Sequence, residues 1–143
     1  MNQHCTNAQH LANLWHILIT NPANNICTSK LTSASVLDVN ILRIIGTDGQ
    51  VTVGHIGNVL STPPSTLSSA LKRLEKNGLI HRTMCLRDLR SYSVELTHEG
   101  KSELELHNHH ELAIMSAMLE RLDSLEEQEQ LLFLLDKLTK EKS

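Results

Sequence analysis

Residues 61–80 read STPPSTLSSALKRLEKNGLI, and this stretch decides the fold of the chain. Pro64 suits the first position of a helix, because the N–H group that proline lacks would have no partner there. An apolar stripe at the spacing i, i+3, i+4 and i+7 follows, which predicts an amphipathic helix that ends at the Asn77-Gly78 pair. The stripe consists of Leu67, Ala70, Leu71 and Leu74.

Three further helices are predicted before this stretch. The first spans about 7–20, where apolar residues recur every three or four positions. The second begins at a cap formed by Thr32 or Ser33 and is stopped by Gly46. The third is short and begins at Thr52. A short helix followed by a longer one is the arrangement of a helix-turn-helix pair.

After this stretch the hydrophobic period changes from helical to strand-like. Tyr92, Val94 and Leu96 alternate with polar residues, which predicts a strand with one buried face. Residues 80–85 are the expected partner strand, and the charged segment 86–90 joins the two. The sequence therefore predicts a β-hairpin with a charged tip.

Thr97 then caps a long helical region, and Asp123-Ser124 separates it from a last helix. The order of elements predicts a mainly α fold with a small β-hairpin, that is, a winged helix-turn-helix flanked by N- and C-terminal helices. Leu131 and Leu135 lie at helical spacing in the last helix, with Phe133 on another side. Because more than one face is apolar, we expect these helices to form a homodimer.

The helix after Pro63 also carries a polar face. Small hydroxyl side chains near its start would let it enter the major groove of DNA, and Lys72 and Arg73 suit phosphates or guanine edges. The residues of this face are Ser65, Thr66, Ser68, Ser69, Lys72 and Arg73. Taken alone, such a face is equally the solvated side of an ordinary amphipathic helix.

The hairpin tip strengthens the DNA-binding interpretation. Arg87 and Arg90 flank the tip, where an arginine on a rigid arm can reach the negative potential of the minor groove. Asp88 can orient Arg90 through a charge-assisted hydrogen bond. A charged tip by itself also serves solubility, but helix and hairpin together predict binding to double-stranded DNA.

Two motifs of the sequence resemble those of a known protein family. The stretch 61–80 is similar to the recognition helix and following turn of the MarR family. Arg87-Asp88-Leu89-Arg90, followed by Leu96-Thr97-His98-Glu99-Gly100, resembles the wing signature of that family, Asp-x-Arg and then Leu-Thr-x-x-Gly. The resemblance is close over about 31–100 and extends through the flanking helices to nearly the whole chain.

The resemblance implies one MarR-like domain over 1–143, with dimerisation helices at 1–30 and 98–143 and a winged helix-turn-helix at 31–97. It implies a ligand-responsive homodimer, more often a repressor, on a palindromic operator. A small-molecule effector would bind between the first, second and long fifth helices. The polar face defined above would lie in the major groove and Arg90 in the minor groove, with Asp88 bracing it.

Two alternatives remain open. His107, His110 and Glu111 share a helix face, so they could offer ligands to zinc, and the resemblance to zinc-responsive MarR relatives implies Cys27 as a further donor. A hydrated helix face explains the same residues, and no cofactor is otherwise expected. The winged helix could also be a protein-interaction module that does not bind DNA.

The composition and motifs of the sequence exclude several classes of function. The net charge of −3 excludes coating of nucleic acid by bulk charge, yet residues 65–92 carry six cations against two carboxylates and the rest sums to −7. Three aromatic residues are too few for a stacking platform on single strands. Neither a nucleophile elbow nor a phosphate-binding glycine loop occurs, so no enzyme is expected. The sequence begins without a signal peptide and lacks a membrane-spanning apolar run, so we expect a cytoplasmic protein.

Overall fold

The computed structural model of the chain describes residues 3–24, 31, 34–85 and 91–140. In these residues the fold is mainly α-helical with a three-stranded antiparallel sheet of order β1-β3-β2, which confirms the predicted fold class. The elements are α1 (Gln3–Thr20), a 3₁₀ turn (Pro22–Asn24), α2 (Val36–Asp48), β1 (Val51–Thr52), α3 (Val53–Leu60), α4 (Pro64–Lys76), β2 (Ile80–Met84), β3 (Tyr92–Leu96), α5 (His98–Leu119) and α6 (Leu125–Thr139).

The chain divides into two compact units. The central unit comprises residues 26–109, and the terminal unit comprises residues 1–25 and 110–143. The division falls within α5, whereas the sequence placed a boundary before that helix, at 97/98. Leu104 explains the difference, because its buried side chain belongs to the core cluster of the central unit.

The core of the central unit is aliphatic, as the composition requires. Side chains from α2, α3, α4 and the sheet meet in one cluster, in which Ile41, Leu42 and Ile56 are fully buried. Because α4 supplies the stripe predicted from its spacing, the face of α4 opposite the stripe must point away from the core. The core therefore determines which face of α4 is buried and which face is exposed.

The sheet follows the predicted hairpin with two differences. β2 pairs with β3 from Ile80↔Leu96 to Met84↔Tyr92, and Val94 and Leu96 are buried as predicted. The prediction for Tyr92 was wrong, because this residue lies at the outer end of the pairing and is exposed. Ser93 is buried instead, since β1 pairs with it and the amide of Gln50 donates to its hydroxyl at 2.8 Å. A two-residue strand such as β1 is too short to show an alternating pattern.

The ends of α2 also differ from the prediction. The N-cap is Ser35, which forms a capping box with Asp38, while Thr32 and Ser33 lie outside the described residues. The helix continues through Gly46 to Asp48. A Cβ atom at Gly46 would lie 2.9 Å from Cδ2 of Leu104, so this glycine allows close packing and does not end the helix.

The terminal unit is helical and has no buried residue among those described. α1 begins at Gln3, four residues before the predicted start, and Ser124 caps α6 after the predicted break. Large apolar side chains on both helices are exposed, among them Trp15 at 60% and Leu132 at 53%. Within the described residues no helix is both long enough and apolar enough to cross a membrane.

Candidate nucleic-acid interface

The helix-turn-helix is formed by α3, the turn 61–63 and α4. Thr52 caps α3, as predicted, by accepting a hydrogen bond from the backbone N–H of His55 at 3.2 Å. The turn passes through a left-handed residue, Ser61 at φ 48°, and Pro64 occupies the first turn of α4 as predicted. A Cβ atom at Gly57 would lie 3.3 Å from Cδ2 of Leu67, so glycine lets the two helices approach closely.

The outward face of α4 brings most of the predicted major-groove residues together. Ser65, Thr66, Ser69 and Lys72 are exposed, and Ser68 is half-buried. Ser69 donates from its hydroxyl to the carbonyl of Ser65 at 3.0 Å, which is a common arrangement within a helix. Small polar side chains and one cation therefore cover the first half of the helix.

Arg73 is the exception to the predicted face. Its Nε lies 3.1 Å from Oδ2 of Asp38 and its Nη2 lies 2.6 Å from Oδ1, which is a bidentate pair. The hydrogen bond to the carboxylate raises the pKa of Arg73 above its ordinary value. The guanidinium group is joined to α2, and its predicted contact with the major groove stays a prediction. The sequence could not reveal a partner 35 residues away.

A second ion pair lies on the other flank of α4. Glu75 accepts from Nε and Nη2 of Arg82 in β2, at 2.9 and 2.5 Å. This pairing raises the pKa of Arg82 and lowers the pKa of Glu75. Arg82 is consequently committed to the helix at the base of the hairpin. Lys76, which the list of predicted contacts omitted, is exposed one turn after Lys72.

The predicted wing contacts Arg87, Asp88 and Arg90 lie outside the described residues. The structure describes the two strands that lead to them. The N–H group of Cys85 donates to the carbonyl of Ser91 at 3.0 Å, which continues the ladder one step beyond β2. Five residues, 86–90, therefore connect two paired strands.

The turn between α4 and β2 is joined to the start of α5. Gly78 adopts φ 74°, as expected for the residue that ends the helix. Thr97 donates from its hydroxyl to the carbonyl of Gly78 at 2.6 Å and accepts from the N–H of Gly100 at 2.9 Å, which confirms its predicted capping role. A Cβ atom at Gly100 would lie 1.9 Å from the carbonyl oxygen of Leu79, so only glycine fits there.

The residues of the zinc alternative lie on α5. His107 is buried, whereas His110 and Glu111 are half-buried. Over the described parts of the chain, no three His, Cys, Asp or Glu residues are grouped so that they could hold a metal ion. Cys27 lies outside the described residues, and Cys5 and Cys85 are free thiols.

Residues 35–92, which span the capped start of α2, the helix-turn-helix and the first residue of β3, match the model of the MarR family. This match covers 58 of the 143 residues, so the central part of the chain is similar to MarR-family proteins. Members of this family are transcriptional regulators and not enzymes, in agreement with the expected non-enzymatic function. The chain is also 31% identical over 86 residues to the uncharacterised HTH-type transcriptional regulator YwhA of Bacillus subtilis. That match covers 60% of this chain and 62% of YwhA, so it spans less than two thirds of the relative.

Solved structures agree with this fold. FabT of Streptococcus pneumoniae, crystallised in complex with DNA, has a TM-score of 0.73 at 21% identity, over 96% of this chain and 94% of FabT. PcaV of Streptomyces coelicolor, crystallised with its natural ligand, has a TM-score of 0.65 at 18% identity, over 92% of this chain and 87% of PcaV. At these identities the similarity establishes the MarR-type fold.

Proposed function

We propose that this chain is a MarR-family transcriptional regulator that binds duplex DNA as a homodimer and acts as a ligand-responsive repressor on a palindromic operator. The observation that carries the proposal is the outward face of α4. It is exposed and polar, its first two turns carry only small polar side chains on this face, and an ion pair lies on each of its flanks. A helix of this kind fits the major groove.

The proposed contacts divide into two classes. Ser65, Thr66, Ser68 and Ser69 lie in the first turns of α4, where a recognition helix meets base edges. Lys72 and Lys76 follow on the exposed side and suit phosphates. The pairing of Arg73 with Asp38 removes this residue from our set of principal contacts.

The hairpin supplies the proposed minor-groove arm. Arg87 and Arg90 carry the positive charge of the segment 86–90, and Asp88 would orient Arg90. The paired strands on both sides of this segment provide a rigid support. Arg90→Ala is therefore expected to weaken DNA binding strongly and to leave the dimer intact.

The terminal unit supports the proposed homodimer. α1 and α6 expose apolar side chains at helical spacing, and an exposed apolar surface of this extent marks a protein interface. A second copy of the chain presents the same surface, which is what a two-fold interface requires. Two copies would place two α4 helices on the two halves of a palindrome.

We propose a small-molecule effector by analogy with solved structures, and a cellular location from the proposed function. FabT was crystallised with DNA and PcaV with a natural ligand, and we propose that this chain likewise takes both kinds of partner. A regulator of chromosomal genes has to reach the DNA, so we place the protein in the cytoplasm.

Selection from a pool of random DNA duplexes tests the proposal. Purified chain should enrich a palindromic sequence, and its affinity for that sequence should fall linearly with salt on a double-logarithmic scale. The same titration with and without zinc examines the zinc alternative. Enrichment of no sequence would contradict the proposal and would favour the protein-interaction module.

A further inference from the structure

Two ion pairs hold α4 from opposite sides. Residues 73 and 75 project from the helix about 160° apart at 3.6 residues per turn, so they occupy its two flanks. Arg73 is joined to Asp38 of α2, and Glu75 is joined to Arg82 of β2. The charge on α4 is positive on the α2 side and negative on the sheet side. A rotation of α4 about its own axis would lengthen at least one of the pairs.

Asp38 is the most buried of the four residues in these two ion pairs. Its side chain is 2% exposed, in contrast with 47% for Arg73. Oδ2 accepts from the N–H of Ser35 at 3.0 Å as well as from Arg73, so one carboxylate both caps α2 and holds α4. A buried carboxylate is expensive unless it is paired, and α4 supplies the pairing cation.

The hydrophobic contacts of α4 do not by themselves restrain its rotation in the way that a directional contact does. The stripe of leucines fixes which side of the helix is buried, but apolar packing is not directional. Bidentate pairs of arginine with carboxylate are directional, because both N–H groups must align with both oxygens. Such contacts add a directional restraint on the rotation of the helix, on which hydrogen bonds to base edges depend.

We infer that Asp38 and Arg73 form a positioning clamp that sets the rotation of α4, and that Arg73 serves DNA recognition through this clamp and not as a principal DNA contact. The inference rests on the proposed function. It makes Asp38, a residue on another helix, a determinant of operator selectivity. The pair Glu75–Arg82 is the opposing clamp on the sheet side.

Substitutions that remove one charge at a time test the clamp. Asp38→Asn and Arg73→Gln should each lower operator affinity about tenfold, the loss that one mismatched base contact causes. Affinity for non-specific DNA and the dependence on salt should change little, because no phosphate contact is lost. The double variant should be no weaker than either single variant, since the two residues act as a unit.

The matched control is Asp48→Asn. It makes the same chemical change at the other end of α2, where Asp48 is exposed and pairs with His55. This variant should bind the operator as the wild type does. Arg73→Lys keeps the charge but loses the bidentate geometry, so it should recover only part of the loss.

The outcome that would overturn the clamp is specific. If Arg73 contacts DNA directly, Asp38→Asn frees it, so that this variant binds as well as or better than the wild type while Arg73→Gln alone is weak. Unchanged operator affinity in both variants would equally refute it. Thermal unfolding of each variant is measured first to establish that it is folded.

A measurement without DNA separates this inference from the proposed function. Hydrogen exchange of the free protein should be faster for the amides of α4 in Asp38→Asn and Arg73→Gln, to a similar degree, and unchanged in Asp48→Asn. Equal exchange in all variants would refute the clamp even if the wild type binds DNA. Faster exchange with no operator enriched would refute the proposed function alone.

Discussion

The central and terminal units differ most in what they bury. Among the described residues of the central unit, sixteen hydrophobic residues are buried, from Leu31 to Leu104. In the described part of the terminal unit no residue is buried, although α1 and α6 are rich in leucine. Both units consist mainly of amphipathic helices, so composition does not explain the contrast. Among the described residues, the central unit buries much of its apolar surface, whereas the helices of the terminal unit leave their large apolar side chains exposed.

The polar contacts show the same contrast. In the central unit, ion pairs join separate elements, as Arg73 with Asp38 and Arg82 with Glu75 do. In the described part of the terminal unit, Lys140 pairs with Asp136 one turn away and Lys137 packs over the ring of Phe133, while the side-chain amide of Gln128 donates to the carbonyl of Leu119 in α5 at 3.1 Å. Contacts inside a helix stabilise that helix but do not fix its neighbours. Among the described residues, ion pairs therefore join separate elements in the central unit and neighbouring turns of the chain in the terminal unit.

The largest effect is expected where the terminal unit would meet its second copy. Leu135→Glu should weaken self-association by about two to three orders of magnitude, because a charge would be buried in an apolar interface on both protomers. The side chain is 44% exposed in the single chain, so folding of the helix itself should change little. Sedimentation velocity over a range of concentrations measures the association.

Gln130→Glu is the control for this change. It adds the same charge to an exposed polar position of the same helix. This variant should associate as the wild type does. A Leu135→Glu protein that remains dimeric would remove α6 from the interface and would break the contrast between the units.

The next effect concerns the packing inside the central unit. Gly100→Ala should lower its free energy of unfolding by about 3 kcal/mol, because the added Cβ would meet the backbone of Leu79 and not a flexible side chain. Chemical denaturation measures the loss. Gly54→Ala is the matched control, since a Cβ at Gly54 meets nothing within 4 Å. That variant should gain up to about 1 kcal/mol from helix propensity; equal effects at both glycines would refute the packing argument.

The sequence predicted the elements of the central unit well because their signals are local. Spacing identified the buried stripe of α4, and the ends marked by Thr52, Gly78 and Thr97 agree with the structure. Each of these features depends on residues within one or two turns. Gly46 was misjudged because a glycine that ends a helix and a glycine that admits a neighbouring side chain look the same in a sequence.

The candidate site was predictable only in part. The exposed small residues of α4 follow from the position of its apolar stripe. Asp38 could have been suspected from its spacing to Ser35, which is that of a capping box, but its link to Arg73 joins two helices. Whether a residue on the flank of a helix faces a ligand or a neighbouring helix depends on the tertiary arrangement. Periodicity does not contain that information.

A smaller effect would show whether the exposed face of α4 separates into residues that contact bases and lysines that contact phosphates, as proposed. Lys72→Gln should weaken binding to all DNA sequences by a similar factor and reduce the salt slope by about one per protomer, since a phosphate contact would be lost. Lys140→Gln, in the terminal unit, should leave both quantities unchanged. A variant at Lys72 that loses only operator affinity would assign this lysine to base recognition.

The smallest effect lies in the sheet-side ion pair of the central unit. Arg82 lowers the pKa of Glu75, so the unfolded chain binds a proton at this carboxylate more readily than the folded chain does. The pair therefore stabilises the fold fully above the unfolded pKa of the carboxylate, and this contribution is lost as the pH falls through the lower folded pKa. At 38% side-chain exposure the contribution at neutral pH should stay below about 1 kcal/mol. Glu75→Gln should lower the free energy of unfolding by that amount at pH 7 and by nothing in strong acid. Asp136→Asn removes an ion pair at the end of α6 and should leave the unfolding of the central unit unchanged at both pH values. A stability difference between wild type and Glu75→Gln that persists in strong acid would contradict the prediction. It would mean that the glutamine disturbs packing and that the charge of Glu75 does not hold α4 to the sheet.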